Sequence, residues 1–198
     1  MNQVIVDKWV SHLRSIASPV AKQAPLLTVS DSLKPFALAV CNEAGEIEPA
    51  PENLPHDDAG LWWAVVDSKV DINTLISEPV YGPLWPQDGY KTIEVWTESE
   101  LSSLHALWRI ARTKNSDDLK DRVSKLRQWH LQHTQPDNAT NRPWALHVFF
   151  LADTPEDLHY AETLLHNCMV MSAKPDPFSA WILLDAANEL QLIMGRDT

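Results

Sequence analysis

The sequence predicts a mainly α fold, and three observations lead to it. Apolar residues recur at helical spacing, several helix starts carry a cap or a proline, and apolar helices alternate with charged ones. We expect a single domain over 1–198. Its second part, 96–198, is predicted to be a five-helix hairpin array. Its first part, 1–95, is predicted to be a helix and an irregular, proline-rich region, with room for a few short strands, packed on that array.

The first half begins with a predicted helix in the stretch VIVDKWVSHLRSIA, and SDSLKPFALAV is a second candidate. Pro49, Pro51 and Pro55 indicate a loop. The stretch GLWWAVV is too short for its periodicity to distinguish a strand from a helix. The proline- and aromatic-rich stretch EPVYGPLWPQDGYKTIEVW is predicted to be irregular and to end in a short strand at Thr92–Trp96.

Helix starts in the second half have a physical basis. Thr97 and Glu100 read as a capping box, in which a hydroxyl caps the helix and a carboxylate three residues later reaches back. Ser116 is a second N-cap, and the aspartates after it suit the positive end of a helix. Proline is favoured at a first helical position, because its missing N–H has no partner there. Together with Pro143, Pro155 and Pro177, these signals predict helices at 98–113, 117–133, 143–152, 155–172 and 177–194.

The faces of these helices differ. The stretch WALHVFFLA in 143–152 is apolar almost all round and should be central. The helix 177–194 is mostly apolar, with Asp185, Asn188 and Glu189 on a narrow polar strip. The helices 117–133 and 155–172 each combine an apolar stripe with charged residues. Apolar inner helices and charged outer ones therefore alternate, as they do in helical hairpins.

This alternation resembles the α/α-hairpin arrays of toroids and solenoids over residues 97–194. The resemblance is architectural and rests on the order of the helices. It implies that 134–142, which joins an outer helix to an inner one, lies at the rim of the array. In α/α-barrel enzymes substrate pockets open at that rim, so the resemblance implies a site in this loop.

Composition excludes several function classes. The net charge of −11 argues against nucleic acid as a partner. Five glycines and no GxGxxG, P-loop or GxSxG pattern argue against dinucleotide, P-loop and serine-hydrolase chemistry, so no cofactor is expected. The start lacks the pattern of a secretory signal and no apolar run reaches membrane-spanning length. We therefore expect a cytoplasmic protein that does not enter membranes.

The best candidate for a binding site is the stretch from 129 to 147, where indole rings flank a polar loop. Flat aromatic surfaces beside carboxylate, amide and guanidinium groups suit a saccharide or another polar ligand. The same residues also suit a structural turn with tryptophans in the core. The candidate ligand-binding residues are Trp129, His130, His133, Asp137, Asn138, Asn141, Arg142, Trp144 and His147.

A metal site and a catalytic site are weaker hypotheses. His130 and His133, three residues apart, could bind a metal with Asp137 or His147, but they also continue an apolar stripe and suit a helix end. We therefore predict no metal. Asp137 and Asp185 are the candidate carboxylates for glycosidase-type chemistry, although nothing in the sequence brings them together.

The leading functional hypothesis is a non-catalytic binding or interaction protein. Its partner would be a protein or a small polar ligand, and self-association is an option. The alternative is a carbohydrate-active or sugar-binding protein of the α/α-barrel type, a hydrolase or a lyase.

Overall fold

The computed structural model describes residues 2–22, 33–41, 49–76, 81–134 and 140–194. The prediction of a mainly α fold is confirmed, and the described ranges contain no strand. Two short 3₁₀ turns lie at Ile72–Thr74 and Gln87–Gly89. The α-helices of these ranges are α1 (Gln3–Ala21), α2 (Lys34–Cys41), α3 (Asp58–Val66), α4 (Ile93–Lys114), α5 (Asp117–His133), α6 (Leu146–Ala152), α7 (Pro155–Asn167) and α8 (Pro177–Met194).

The chain forms two compact units. The first unit is built from both ends of the chain, Met1–Leu26 and Pro136–Thr198, and contains α1, α6, α7 and α8. The second unit is the continuous segment Leu27–Gln135 and contains α2 to α5. The five helices predicted for the second half are thus divided, two in one unit and three in the other. The single domain over 1–198 stays a prediction.

In the first unit, α1 packs along α8, and α6 packs on α7 and α8. The apolar stripe of α1, Val6, Val10, Leu13 and Ala17, is buried. Residues 146–150 of α6 are buried on every side, so this apolar helix lies in the interior of its unit as its sequence predicts.

In the second unit, α4 packs on both α3 and α5, and α2 packs on α3. A tight connection joins α4 to α5. Asn115 ends α4 in the left-handed conformation (φ 49°), and Ser116 then caps α5 by accepting the N–H of Leu119. The stretch GLWWAVV, left open by the sequence, is the helix α3, in which Ala59 to Ala64 are all buried.

The start of α4 differs from the prediction. Thr92 caps the helix by accepting the N–H of Val95, so Thr92–Trp96 is the cap and first turn of α4, and the predicted strand is wrong. The capping box at Thr97 and Glu100 is wrong as well, since both side chains are buried inside the helix. The pattern of a threonine and a glutamate three residues later also occurs inside helices. The hydroxyl that caps α4 is that of Thr92, five residues before Thr97.

Two other helix ends also differ. The helix predicted to start at Pro143 begins at Leu146, because Ala145 adopts the left-handed conformation (φ 55°) and interrupts it. The helix predicted to reach residue 172 ends at Asn167, and the following N–H groups bond three residues back, as in turns. No described helix combines the length and the apolar character that crossing a membrane requires.

Candidate functional site

The predicted binding residues belong to both units. Trp129, His130 and His133 lie on α5 in the second unit, and the remaining described residues of the set lie in the first. Asp137 and Asn138 are outside the described residues.

In the first unit, the predicted residues contribute mostly to packing. The guanidinium of Arg142 lies over the ring of Phe178 at 4.3 Å, and the indole of Trp144 meets the same ring edge-on at 5.7 Å. Trp144 and His147 are buried, whereas Asn141 is exposed. Arg142 and Trp144 thus enclose an aromatic core residue.

The polar strip predicted on α8 is mainly buried. Asp185 and Glu189 are 4% and 1% exposed, so two of the three residues of this strip are shielded from water. Asn188, in contrast, is exposed and accepts a hydrogen bond from Arg14 of α1 at 2.9 Å. The polar strip of α8 therefore contains two buried residues and one exposed residue, a difference that its sequence alone does not show.

The thiol of Cys168 is not suited to nucleophilic chemistry. Burial, assisted by the charge of Asp176, raises the pKa of Cys168 to about 12, so this thiol stays protonated at neutral pH. The side chain of Cys41 is outside the described part of the chain.

In the second unit, aromatic side chains meet where α4 begins and α5 ends. The indoles of Trp96 and Trp129 meet edge to face, with centroids 5.8 Å apart, and the His133 ring lies against Trp129 at 5.0 Å. The Tyr81 hydroxyl donates to Gln132 at 2.7 Å. Ile93, one turn before Trp96, is 55% exposed. We call this surface the aromatic end; its residues are Tyr81, Ile93, Trp96, Trp129, Gln132 and His133.

The two histidines predicted to share a metal have different surroundings. His130 is buried, and its Nδ1 lies 3.1 Å from the hydroxyl of Thr134. His133 is exposed and stacks on Trp129. Among the described residues, no three His, Cys, Asp or Glu side chains are arranged to hold a metal ion.

Beneath the aromatic end, a short segment is bound to α4 by hydrogen bonds. We call this segment, 81–86, the strap. The N–H groups of Leu84 and Trp85 donate to the two carboxyl oxygens of Glu100, at 3.0 and 2.6 Å. The Trp85 indole donates to Ser103 at 2.7 Å, and the Trp96 indole donates to the carbonyl of Trp85 at 3.0 Å. The strap therefore depends on the polar side chains of α4.

Glu100 has no exposed surface, and its environment is mixed. Burial raises its pKa to about 7, while the two N–H groups of the strap and the charge of Arg122 lower it. Arg122 of α5 also reaches the strap, where it donates to the carbonyl of Gly82 at 3.4 Å. His130 Nε2 lies 3.8 Å from Glu100 Oε2, and burial lowers the pKa of His130 to about 3. Both groups are therefore held toward their neutral forms.

A second carboxyl group lies nearby at the start of α3. Asp58 accepts the hydroxyl of Ser99 at 2.9 Å, and Ser99 lies 3.0 Å from the hydroxyl of Tyr90. Burial raises the pKa of Asp58 to about 6 and that of Tyr90 to about 12. The negative charge of Asp58 also raises the pKa of Glu100. Both carboxyl groups thus belong to one polar core inside the second unit.

One signal for this core is present in the sequence, in the same stretch that fits the capping-box pattern. In the stretch TESELSS, residues 97–103, polar residues fall on several faces of the helix. A helix with one face in water needs polar residues on that face only. Three tryptophans, Trp62, Trp63 and Trp85, occur in α3 and the strap, which contact this part of α4, and indoles need an acceptor when buried. Serines opposite tryptophans, as in Ser102 with Trp62 at 3.0 Å, supply those acceptors.

Comparisons with protein-family models, with curated proteins and with solved structures find no match for this chain.

Proposed function

We propose that this chain is a non-catalytic binding protein and that the aromatic end is its recognition surface. One observation carries the proposal. Trp129 is only partly buried and is held between Trp96 and His133. Two exposed apolar side chains extend this surface: Tyr81, which is bonded to Gln132, and Ile93, one helical turn before Trp96. Aromatic side chains fixed by their neighbours lose little entropy on binding, and they dominate the binding energy of many interfaces.

The polar core favours binding over catalysis. Glu100 is fully buried and both its oxygens accept backbone N–H groups, so the carboxylate is committed to the strap. Asp58 is half-buried and accepts the hydroxyl of Ser99, so this carboxylate also has a partner within the unit. In the proposal these groups support the recognition surface and do not contact a partner.

The charge of the chain favours a cationic partner. Residues 42–100 contain thirteen acidic and two basic side chains, a net charge of −11, whereas the remaining residues contain fourteen of each. That segment includes the strap, the 3₁₀ turn Gln87–Gly89, where Asp88 is exposed, and the first turn of α4, where Glu94 is exposed. The partner we propose is a polypeptide segment with basic side chains around an apolar one, since opposite charges steer association and apolar contact supplies affinity.

Charge-introducing substitutions test this surface with little risk to the fold. The probe is a short synthetic peptide of lysines around one leucine, titrated by calorimetry at low salt. Ile93→Lys and Tyr81→Lys, both at exposed positions, should each weaken binding about tenfold, which corresponds to 1.4 kcal/mol. The matched control is Met171→Lys, which adds the same charge at an 89% exposed position of the first unit and should leave the affinity unchanged.

Equal loss in all three variants would mean a non-specific charge effect and would contradict the proposed surface. Failure of the wild-type chain to bind the lysine peptide more tightly than its glutamate counterpart would contradict the cationic partner. Self-association through the aromatic end is the other occupant that the experiment detects, as a concentration-dependent mass that Ile93→Lys abolishes.

The carbohydrate-active alternative, with the helical array extending to an α/α-toroid, has less support. Of its two candidate carboxylates, Asp185 is buried on α8 and Asp137 is outside the described residues. A buried carboxylate does not reach a sugar at a rim without rearrangement.

A further inference from the structure

Side chains of α4 and α5 bind the backbone of the strap. Both carboxyl oxygens of Glu100 accept consecutive N–H groups, those of Leu84 and Trp85. The carbonyl of Trp85 accepts from the indole of Trp96, and the carbonyl two residues before Leu84 accepts from Arg122. Every polypeptide carries N–H and carbonyl groups, so these contacts do not depend on which chain supplies the segment.

Two strap side chains add specificity to this backbone recognition. Leu84 and Trp85 are 5% and 4% exposed. The indole of Trp85 also donates to the hydroxyl of Ser103 at 2.7 Å. An indole combines a large apolar surface with one donor at its edge, and Ser103 supplies the matching acceptor. The contacts therefore select a leucine followed by a tryptophan.

Prolines on both sides of this pair, Pro83 and Pro86, restrict the backbone of the strap. Pro86 has φ −67° and ψ 131°, the values of polyproline II. A proline also disfavours the helical conformation of the residue before it, here Trp85. A segment restricted in this way loses little conformational entropy on binding, and proline-rich peptides are for this reason common ligands of aromatic sites.

The helices that hold the strap are specified by their own residues. Thr92 caps α4, and the connection Asn115–Ser116 ends α4 and starts α5. The two helices also pack on each other directly. The helix side chains that bind the strap form what we call the strap site: Trp96, Glu100, Ser103, Arg122 and Gln132.

We propose that the strap site is a peptide-binding site for an extended segment with Leu-Trp between prolines, and that such a ligand replaces the strap. An incoming peptide supplies the same two N–H donors to Glu100, so the exchange leaves no buried carboxylate without them. This ligand is distinct from the cationic partner of the aromatic end, which does not contact Glu100.

The strap competes with any such peptide from within the same chain. A tethered segment acts at an effective concentration that is roughly millimolar. A free peptide should therefore replace the strap of the wild type only at millimolar concentration. A chain with a weakened strap should bind the peptide at lower concentration.

Trp85→Ala in the full-length chain weakens the strap and tests this exchange. The probe is a fluorescein-labelled peptide of the strap sequence, Tyr-Gly-Pro-Leu-Trp-Pro, titrated by fluorescence anisotropy. It should bind Trp85→Ala at least about tenfold more tightly than the wild type, because the internal competitor has lost its indole contacts. The matched control is Trp9→Ala, which removes a half-buried indole of the first unit and should bind the peptide as the wild type does. Equal affinities of Trp85→Ala and the wild type would overturn the proposal.

Two altered peptides test how the site recognises its ligand. An ester in place of the amide at the leucine N–H removes one donor to Glu100 and keeps both side chains. Its affinity for Trp85→Ala should be about tenfold lower. A peptide with leucine and tryptophan exchanged keeps the composition and should also bind more weakly. Equal affinities of all three peptides would mean adhesion to exposed apolar surface and would contradict the site.

Hydrogen exchange in the wild type keeps the test independent of whether Trp85→Ala folds. Unlabelled strap peptide at several millimolar should remove most of the protection of the Leu84 and Trp85 amides, because it then matches the effective concentration of the strap. The amide of Leu126 in the core of α5 is the internal control and should stay protected. Full protection of both strap amides at this peptide concentration would overturn the proposal.

Ile93→Lys, added to Trp85→Ala, separates this inference from the proposed function. It should weaken binding of the lysine peptide and leave binding of the strap peptide unchanged, since Ile93 is not part of the strap site. A chain that binds the strap peptide but not the lysine peptide would contradict the role of the aromatic end and leave the strap site standing. Loss of both peptides in this variant would mean one shared surface and would contradict a separate strap site.

Discussion

At the scale of single residues, Glu100 combines two roles that oppose each other. Its oxygens accept two strap N–H groups, which favours the ionised form, and it has no exposed surface, which favours the neutral form. Burial prevails, and the pKa rises from 4.5 to about 7. Because the folded chain holds this proton more tightly than the unfolded chain, stability is lost as the pH rises through that window.

Replacing Glu100 by glutamine should remove this loss. Between pH 4.5 and 7.5, the unfolding free energy of the wild type should fall relative to that of Glu100→Gln by about 3 kcal/mol, at 1.36 kcal/mol per pKa unit. Urea unfolding at several pH values measures the difference. Glu94→Gln is the control: Glu94 is exposed and its pKa is lowered, so its difference should stay flat above pH 5. A constant gap between wild type and Glu100→Gln would contradict the raised pKa.

At the scale of elements, α4 depends on its cap at Thr92. Thr92→Ala removes the acceptor of the Val95 N–H and should cost about 1 kcal/mol of unfolding free energy, whereas Thr92→Ser should cost little. Chemical denaturation measures both. If α4 instead began at Thr97, as the capping-box pattern predicts, the carbon chemical shifts of Glu94 and Val95 would not be helical. Thr92→Ala would then leave the unfolding free energy unchanged.

The helix α3 offers a test in which packing and propensity predict opposite signs. Alanine favours helices over glycine by about 1 kcal/mol, so Gly60→Ala should stabilise α3 on propensity alone. A Cβ at Gly60, however, would overlap the carbonyl oxygen of Pro55, and we expect a loss of roughly 1–3 kcal/mol. Gly89→Ala, where a Cβ meets no atom within 4 Å, is the matched control and should change stability little. A stabilised Gly60→Ala variant would contradict this packing.

How much of each element the sequence predicts depends on how local its cause is. Asp117–His133 is predicted at both ends, since Ser116 and the apolar stripe are local signals. Pro177 likewise places the start of α8. The burial of Glu100 is not local: it depends on Leu84 and Trp85, distant in sequence, which bring N–H groups to its oxygens. The candidate site was therefore predicted only at Trp129, His130 and His133, and the carboxyl groups behind them were missed.

At the scale of the whole molecule, the two units differ in how the chain builds them. The second unit is one continuous segment, Leu27–Gln135, and the first combines the two ends of the chain. In the first unit, α1 packs along α8 and its apolar stripe is buried. No other described helix of that unit packs on α8 as extensively. The segment Leu27–Gln135 should therefore fold without the rest of the chain, whereas Pro136–Thr198 should need α1 to fold.

Fragments test this difference. Leu27–Gln135 alone should be helical by circular dichroism and should unfold cooperatively in urea, because it contains all of α2 to α5. Pro136–Thr198 alone should lack a cooperative transition and should regain it when a peptide of Met1–Leu26 is added. Cooperative unfolding of Pro136–Thr198 without that peptide would show that α1 is dispensable to the first unit.

The most direct test of the account is a carboxyl-carbon NMR titration of Glu100 in the full-length chain, recorded together with the imidazole nitrogens of His130. We predict a midpoint near pH 7 for the Glu100 side chain, with a neutral imidazole at His130 across that range. A midpoint near 4.5 in the folded chain, or a charged imidazole at His130 across that range, would contradict this prediction.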